Sequence, residues 1–401
     1  MDLGFGDAVL IFGGLLTVVA ALSGVMRGTV LSASVLSVAL GILLAATDVV
    51  HVDATSESII ELVELALILT LFSDGMFVER ELLSRHWSPV ARALVIAMPI
   101  TMALLGLAAK ALFPDLSWAE ALLLAAVLSP TDPVVTSAVV TSRIVPSSVR
   151  HTLNLESGLN DGLALPFVLF FLILAGSGGD PGSEAVKLLG EALFGAAVGV
   201  GLGALGGRLH YRLPGGGLTT RYEGIYAVGF ALFSFGLADV TIGNGLIAAF
   251  VCGIAMAATE RDVPAGFVEF AENASAILQV LTFFVFGALI VATGFHHSVP
   301  PLVLFVIFAL IVARPAAVML SFVKAGIPRP QKLFMAWFGP KGVASMLFAL
   351  FVLKSDVGNA TLIFDIASIA IIASIVAHGL TDTVGAKWMA KRVGLSSTSE
   401  S

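Results

Sequence analysis

The chain has 401 residues, 58% of them hydrophobic and 12% charged, with a formal net charge of -7. A soluble domain carries about 25% charged residues, so this composition excludes one and is that of an all-α polytopic membrane protein. It also gives no basic stripe of the kind a nucleic-acid partner needs.

The single cysteine, Cys252, lies in an apolar run, which rules out an intrachain disulfide. The opening MDLGFGD is acidic where a secretory signal is basic, so the first apolar segment is expected to stay as a span. No lipidation motif is present in the sequence. A bilayer core takes roughly 20 apolar residues per helix. About thirteen such runs are expected, near residues 5–25, 29–47, 57–78, 89–113, 118–141, 149–175, 184–206, 222–238, 241–258, 270–292, 300–323, 332–353 and 360–382. Only Ala238, Asp239 and Val240 separate the eighth run from the ninth. After the last run a short tail, 383–401, ends in SSTSES, and no nucleotide-binding or regulatory domain is expected within it.

Lys and Arg in short loops are retained on the cytoplasmic side. One alternate set of loops holds 16 of the 21 basic residues, from Arg27 through Arg80, Arg85, Arg92, Arg143 and Arg150 to Lys387, Lys391 and Arg392. Only Lys110, Lys187 and Lys354 fall near the opposite ends. The N-terminus is therefore expected outside and the C-terminus inside, and the alternation itself requires an odd number of spans.

The remaining two, Arg314 and Lys341, lie within spans. Arg314 is ten residues from Lys324, and Lys341 is nine from Lys332. At 1.5 Å per residue each lies roughly 15 Å deep, near the midplane. Asp132, Glu156 and Asp161 fall within 30 residues of one another in otherwise apolar sequence. A charge at that depth costs about 2.5 to 3.5 kcal/mol on the mildest scale, so each carries a functional expectation.

Spans five and twelve are interrupted near their middles. SPTDP (129–133) sets two prolines around Asp132, and GPKG (339–342) sets glycine and proline around Lys341. Proline removes a backbone donor and obstructs the preceding turn. Non-helical backbone at membrane depth persists only where protein buries it or where it lines a wet cavity. The breaks are seven spans apart, on antiparallel helices, and paired interruptions in two halves point to a transporter's midplane site. If the breaks cross, Asp132 offsets the positive helix ends and Lys341 the negative ones.

In span six, Glu156, Ser157, Asn160 and Asp161 form one polar face about two turns long. Hard monovalent cations prefer oxygen ligands, which this face and the unwound Thr131 carbonyl could supply. Taking a carboxylate out of water disfavours its charged form, bringing proton binding into competition with cation binding. Glu156 is expected to pair with Arg314, since an unpaired charge of either sign is expensive there. With Arg314 and Lys341 assigned, Asp161 has no intramembrane base and is the better candidate for the site.

SPTDPV in span five, ESGLNDGLALP in span six, ARP around Arg314 and WFGPKGVASMLFAL in span twelve resemble the monovalent cation/proton antiporters of the sodium/proton exchanger type. The resemblance runs through all thirteen spans. It implies an inverted-repeat antiporter fold with two crossing unwound helices, in which 89–175 and 300–382 form a mobile ion-transporting core. Residues 5–78 and 184–292 would form the scaffold of a homodimer. It implies a secondary antiporter in the cell membrane that exchanges H+ for Na+ or Li+, or alternatively K+, serves pH homeostasis and needs no cofactor. Asp161 would be the ion- and proton-binding carboxylate, with Asp132, Ser157 and the Thr131 carbonyl completing a Na+ site. Asn160 would hold the unwound segment, and an Asn before the key Asp resembles the electroneutral pattern. Lys341 stands where many relatives carry Arg, which leaves the dipole compensation in place.

Other signals carry less. GxGxxG at Gly201, Gly203 and Gly206 has no preceding strand, so helix packing is favoured over dinucleotide binding. His296 and His297 fit either a pH sensor or a solvated loop. Glu61, Glu64 and Asp74 in span three fit funnel lining or interfacial snorkelling, while Glu191 and Asp365 are unassigned. An intramembrane aspartyl protease using Asp132 and Asp161 is the rival enzyme reading, and it is disfavoured because neither acid stands in a GxGD motif. An organic-solute symporter of the same architecture would need a larger polar cavity.

Overall fold

The structure is a computed structural model that describes residues 5–26, 33–52, 57–82, 87–132, 142, 144–176, 181–210, 220–259, 265–294 and 298–393. Arg27, Arg85, Pro133, Arg143, Arg212, Arg261, His296, His297 and the end of the tail lie outside the described residues. Among the described residues the regular structure is helical throughout. The helices are α1 (Phe5–Met26), α2 (Ala33–Ala46), α3 (Glu57–Leu82), α4 (Trp87–Leu112), α5 (Trp118–Val127), α6 (Ser147–Ala175) and α7 (Pro181–His210). Then follow α8 (Thr220–Asp239), α9 (Gly245–Thr259), α10 (Ala265–Thr293), α11 (Val299–Ser321), α12 (Arg329–Trp337), α13 (Val343–Lys354) and α14 (Ala360–Val393). Each expected run overlaps one of these helices, the fifth lying outside the described residues beyond Asp132, and the twelfth overlaps α12 and α13 on either side of its break. Among the described residues six helices, within α4, α6, α7, α10, α11 and α14, are long and apolar enough to cross a membrane, as befits a multi-pass membrane protein.

Local chemistry sets the boundaries. The close eighth and ninth runs are separate helices because Gly243 N bonds Ala238 O at 3.0 Å and the Asn244 side chain accepts from Ile247 N at 3.0 Å, capping α9. α14 continues to Val393, past the expected end at 382. Its last turns bury Ala386, Met389 and Ala390 while exposing Lys387, Lys391 and Arg392, so the extension is amphipathic rather than apolar.

α4 and α11 each contain a π-helical turn, at Ala93–Ala97 and Phe308–Ala313. Both lie just before a proline, Pro99 and Pro315, which has no N–H for the carbonyl four residues back. The ladder widens there instead of breaking. The two helices occupy corresponding places in the two halves of the chain, an agreement the apolar runs did not reveal.

Helices α2, α3, α7, α8, α9 and α10 pack on one another, and α4, α5, α6 and α11 to α14 form a second set of neighbours, with α3 and α7 touching α6. In the first set, small residues let backbones approach closely. A Cβ at Gly75 would collide with the Phe250 carbonyl, and one at Gly253 with the Phe72 carbonyl. Of the GxGxxG glycines, Gly203 abuts the Cys252 carbonyl and Gly206 abuts Met256 and Phe230, while Gly201 meets open space. In the second set, Ser117 and Glu120 make a reciprocal capping box at the start of α5. Glu120 Oε1 also accepts from the backbone N and Nδ2 of Asn359, both at 3.0 Å, tying the start of α5 to that of α14.

Candidate functional site

The two interruptions meet. α5 ends at Val127, and the extended backbone that follows crosses the gap between α12 and α13, where Asp132 N donates to Pro340 O at 2.8 Å. Asp132 Oδ2 accepts from Val343 N, the first residue of α13, at 3.3 Å. In the opposite direction Lys341 Nζ donates to the Pro130 carbonyl at 3.1 Å and the Ser129 carbonyl at 3.5 Å, beyond the C-terminus of α5. A carboxylate sits at a helix N-terminus and an ammonium at a helix C-terminal end, each worth about 0.3 to 2 kcal/mol.

The crossing needs residues without side chains. A Cβ at Gly339 would collide with the Arg314 guanidinium, and one at Gly342 would collide with the Asp132 carboxylate. Asp132 cannot swing aside cheaply, since its carboxylate is engaged by Val343 N and its backbone by Pro340 O. Gly342→Ala is expected to destabilise the fold by about 1 to 3 kcal/mol through overpacking. Thermal unfolding in detergent reads this directly, and an unchanged melting temperature would show that the contact is loose.

Against the first break lies the polar face of α6, on which Glu156, Ser157, Asn160 and Asp161 are all buried. The Asn160 amide grips Thr131 from both sides: Oδ1 accepts from Thr131 N at 3.2 Å, and Nδ2 donates to Thr131 Oγ1 at 2.7 Å. The Thr131 and Ser157 hydroxyls are 3.2 Å apart. One turn beyond Ser157, Asp161 is 5% exposed, and its Oδ1 makes no hydrogen bond among the described residues. A buried carboxylate among mixed oxygen donors, where the end of α5 meets the break between α12 and α13, offers ligands that suit a small hard cation or a proton. Among the described residues no three His, Cys, Asp or Glu side chains converge as a transition-metal site requires, so the donors on offer are mixed oxygens.

Glu156 faces away from this point. Its Oε1 lies 2.8 Å from Arg314 Nη1, with both side chains almost wholly removed from solvent. Arg314 Nη2 reaches the Phe338 carbonyl at 3.4 Å, so the pair also fastens the edge of the second break. All the expected site residues are therefore assembled around one crossing: Thr131, Asp132, Ser157, Asn160 and Asp161 on one side, Glu156, Arg314 and Lys341 on the other.

Asp74 was not expected in this group. Its side chain packs on Gly158, where a Cβ would lie 3.3 Å from the Asp74 Cβ and 3.5 to 3.6 Å from its carboxylate. Gly158 is one turn from Asp161, and Asp74, Asp132 and Lys341 are the charges acting on Asp161. The signal was an acid in an apolar run, but only the packing of α3 on α6 gives it an address. Glu64 lies instead among the charges of Asp239, Glu61 and Lys354. Asp365 has the Thr293 hydroxyl 3.5 Å from its Oδ1, which links α14 to α10. Glu191 pairs loosely with Lys187 at 4.0 Å.

Comparison with known proteins bears on what this arrangement does. The family described as sodium/hydrogen exchanger, transmembrane, matches residues 14–387. A K+/H+ antiporter, NhaP, of Alkalimonas amylolytica is 27% identical over 328 residues, 81% of this chain and 56% of that protein. The Na+/H+ antiporter 2 of Zygosaccharomyces rouxii is 28% identical over 319 residues, 74% of this chain and 39% of that protein. The chain thus spans about half the length, or less, of these curated relatives. The solved sodium/proton antiporter MjNhaP1 of Methanocaldococcus jannaschii superposes with a TM-score of 0.76 at 21% identity, covering 96% of this chain and 97% of that one, a likeness of fold.

Proposed function

The chain belongs to the transmembrane sodium/hydrogen exchanger family, and from that premise we propose that it is a secondary antiporter exchanging H+ for Na+ or Li+ across the plasma membrane. The observation that carries this is the buried Asp161 carboxylate, with an oxygen that no donor among the described residues satisfies, beside the point where the end of α5 meets the break between α12 and α13. Asp161 binds either a cation or a proton, and must be emptied of one before it takes the other. Ser157, the Thr131 carbonyl and Asp132 complete the oxygen shell, while Asp74 adds negative charge on the side of α3. Asn160 holds the unwound Thr131, and the Glu156–Arg314 pair and Lys341 keep the crossing rigid. Exchange follows if residues 89–175 and 300–382 move as a core against a scaffold of 5–78 and 184–292, exposing Asp161 to each side in turn. In this scheme the scaffold forms a homodimer, the N-terminus is outside and the C-terminus is cytoplasmic.

A K+/H+ exchanger is the second reading, favoured by the name of the Alkalimonas relative. Both readings share the same oxygen ligands and differ only in the distances selected. Proton flux in proteoliposomes, followed with a pH-sensitive dye as Na+, Li+, K+ or choline is added, separates them. A response to Na+ and Li+ is the expected result, unaltered when the membrane potential is clamped, because one cation exchanges for one proton at a site with a neutral Asn160. A response to K+ alone moves the assignment to the second reading. Silence with every cation overturns antiport.

A further inference from the structure

The second break leaves two backbone groups exposed inside the protein, and α14 meets both. The break removes Lys341 N from any helix, and the end of α12 leaves the Trp337 carbonyl without a helical donor. Ser374 and His378, one turn apart on α14, are 0% and 2% exposed. Ser374 Oγ accepts from Lys341 N at 3.0 Å. His378 Nε2 lies 2.8 Å from the Trp337 carbonyl, and its Nδ1 lies 3.2 Å from Ser374 Oγ and 2.7 Å from Ser374 O. The ring stacks on Trp337 at 5.2 Å between centroids, and Trp337 Nε1 donates to Thr381 Oγ1 at 2.9 Å. A neutral imidazole has one N–H, which donates either from Nε2 to Trp337 O or from Nδ1 to Ser374 O, while the Ser374 hydroxyl accepts from Lys341 N. Through this relay Ser374 meets one side of the break and His378 the other.

We propose that Ser374 and His378 are positioning residues for transport: together they fix the unwound segment of the twelfth span, and so aim the Lys341 ammonium at the Pro130 carbonyl and toward Asp161. They do for the second break what Asn160 does for the first. Asn160 grips Thr131 with one side chain, whereas the second break is held by two side chains in series. This inference rests on the antiport reading above. The charges facing the relay are Arg314 from α11 and Lys341 from the break itself, with Asp382 one turn further along α14. Around Asp161 they are Asp74, Asp132 and Lys341. Loosening the relay lets the Lys341 ammonium retreat from Asp161, so the consequence falls on turnover and on its pH dependence.

The test is exchange by the 401-residue chain in proteoliposomes across a range of pH. Ser374→Ala removes one hydrogen bond from the relay and should lower the maximal rate about tenfold, the equivalent of about 1.4 kcal/mol. It should also shift the half-maximal pH upward by about half a unit or more. Ser374→Thr, which keeps the hydroxyl, should restore both. His378→Ala should behave like Ser374→Ala, and His378→Gln, which retains a donor and an acceptor, should recover part of the rate. Ser374→Cys keeps the shape but is a weak hydrogen-bonding partner, and carries the test if the alanine variant does not assemble. Native rate and pH profile in Ser374→Cys would overturn the proposal, and so would a Ser374→Thr variant as impaired as alanine. Failure of the unaltered protein to exchange any cation would count against antiport itself, so the two outcomes are distinguishable.

Discussion

Asp161→Asn is expected to abolish cation-driven proton flux, by about two orders of magnitude or more, while leaving the protein folded. The amide has nearly the shape of the carboxylate but neither a charge to hold a cation nor a proton to exchange at working pH. A cation 4 Å from a carboxylate gains about 4 kcal/mol at an effective dielectric of 20, or about three orders of magnitude in affinity. Because Asp161 is buried with an oxygen that makes no hydrogen bond among the described residues, the neutral amide also removes the cost of desolvating a charge there. The melting temperature of the variant in detergent should therefore equal or exceed that of the native protein. Loss of flux together with a lower melting temperature would mean only that the fold had been damaged. Undiminished flux in a well-folded variant would remove Asp161 from the site and leave Asp74 or Asp132 as the exchanging carboxylate.

How much of this was visible beforehand depended on whether a residue's role is set along the chain or across it. Asp161, Glu156 and Arg314 are legible because each is a charge inside a long apolar run, where its cost demands an explanation. The two breaks are legible because proline and glycine change the backbone wherever they fall, and the opposite charges of Asp132 and Lys341 already suggested which helix ends they face. Asp74 is a different case. Its acid is visible in the sequence, but whether it lines the site or snorkels depends on which helix α3 crosses, and Gly158 becomes informative only once that crossing is known. Ser374 and His378 carry no charge pattern that sets them apart from ordinary helix residues, and only the neighbouring break makes sense of them. Pro99 and Pro315 stand in plain view, yet proline can kink, end or widen a helix, and the packing decides between these.

Arg314→Ala should be the most destabilising single change in the core, costing about 3 to 5 kcal/mol, because it strands the buried Glu156 carboxylate without its partner at 2.8 Å. It also deletes the contact with the Phe338 carbonyl and opens a void against Gly339, so the edge of the second break loses its support as well. The melting temperature should fall markedly, in contrast to Asp161→Asn. Glu156→Leu combined with Arg314→Met separates the two contributions. If the pair serves only to neutralise itself, an apolar pair of similar volume recovers the stability and leaves exchange intact. If Arg314 also holds the break, stability returns while exchange stays impaired, because the guanidinium no longer braces the carbonyl of Phe338 beside the crossing. An unchanged melting temperature in Arg314→Ala would undo the pairing altogether, since a buried carboxylate cannot lose its only salt bridge among the described residues at no cost.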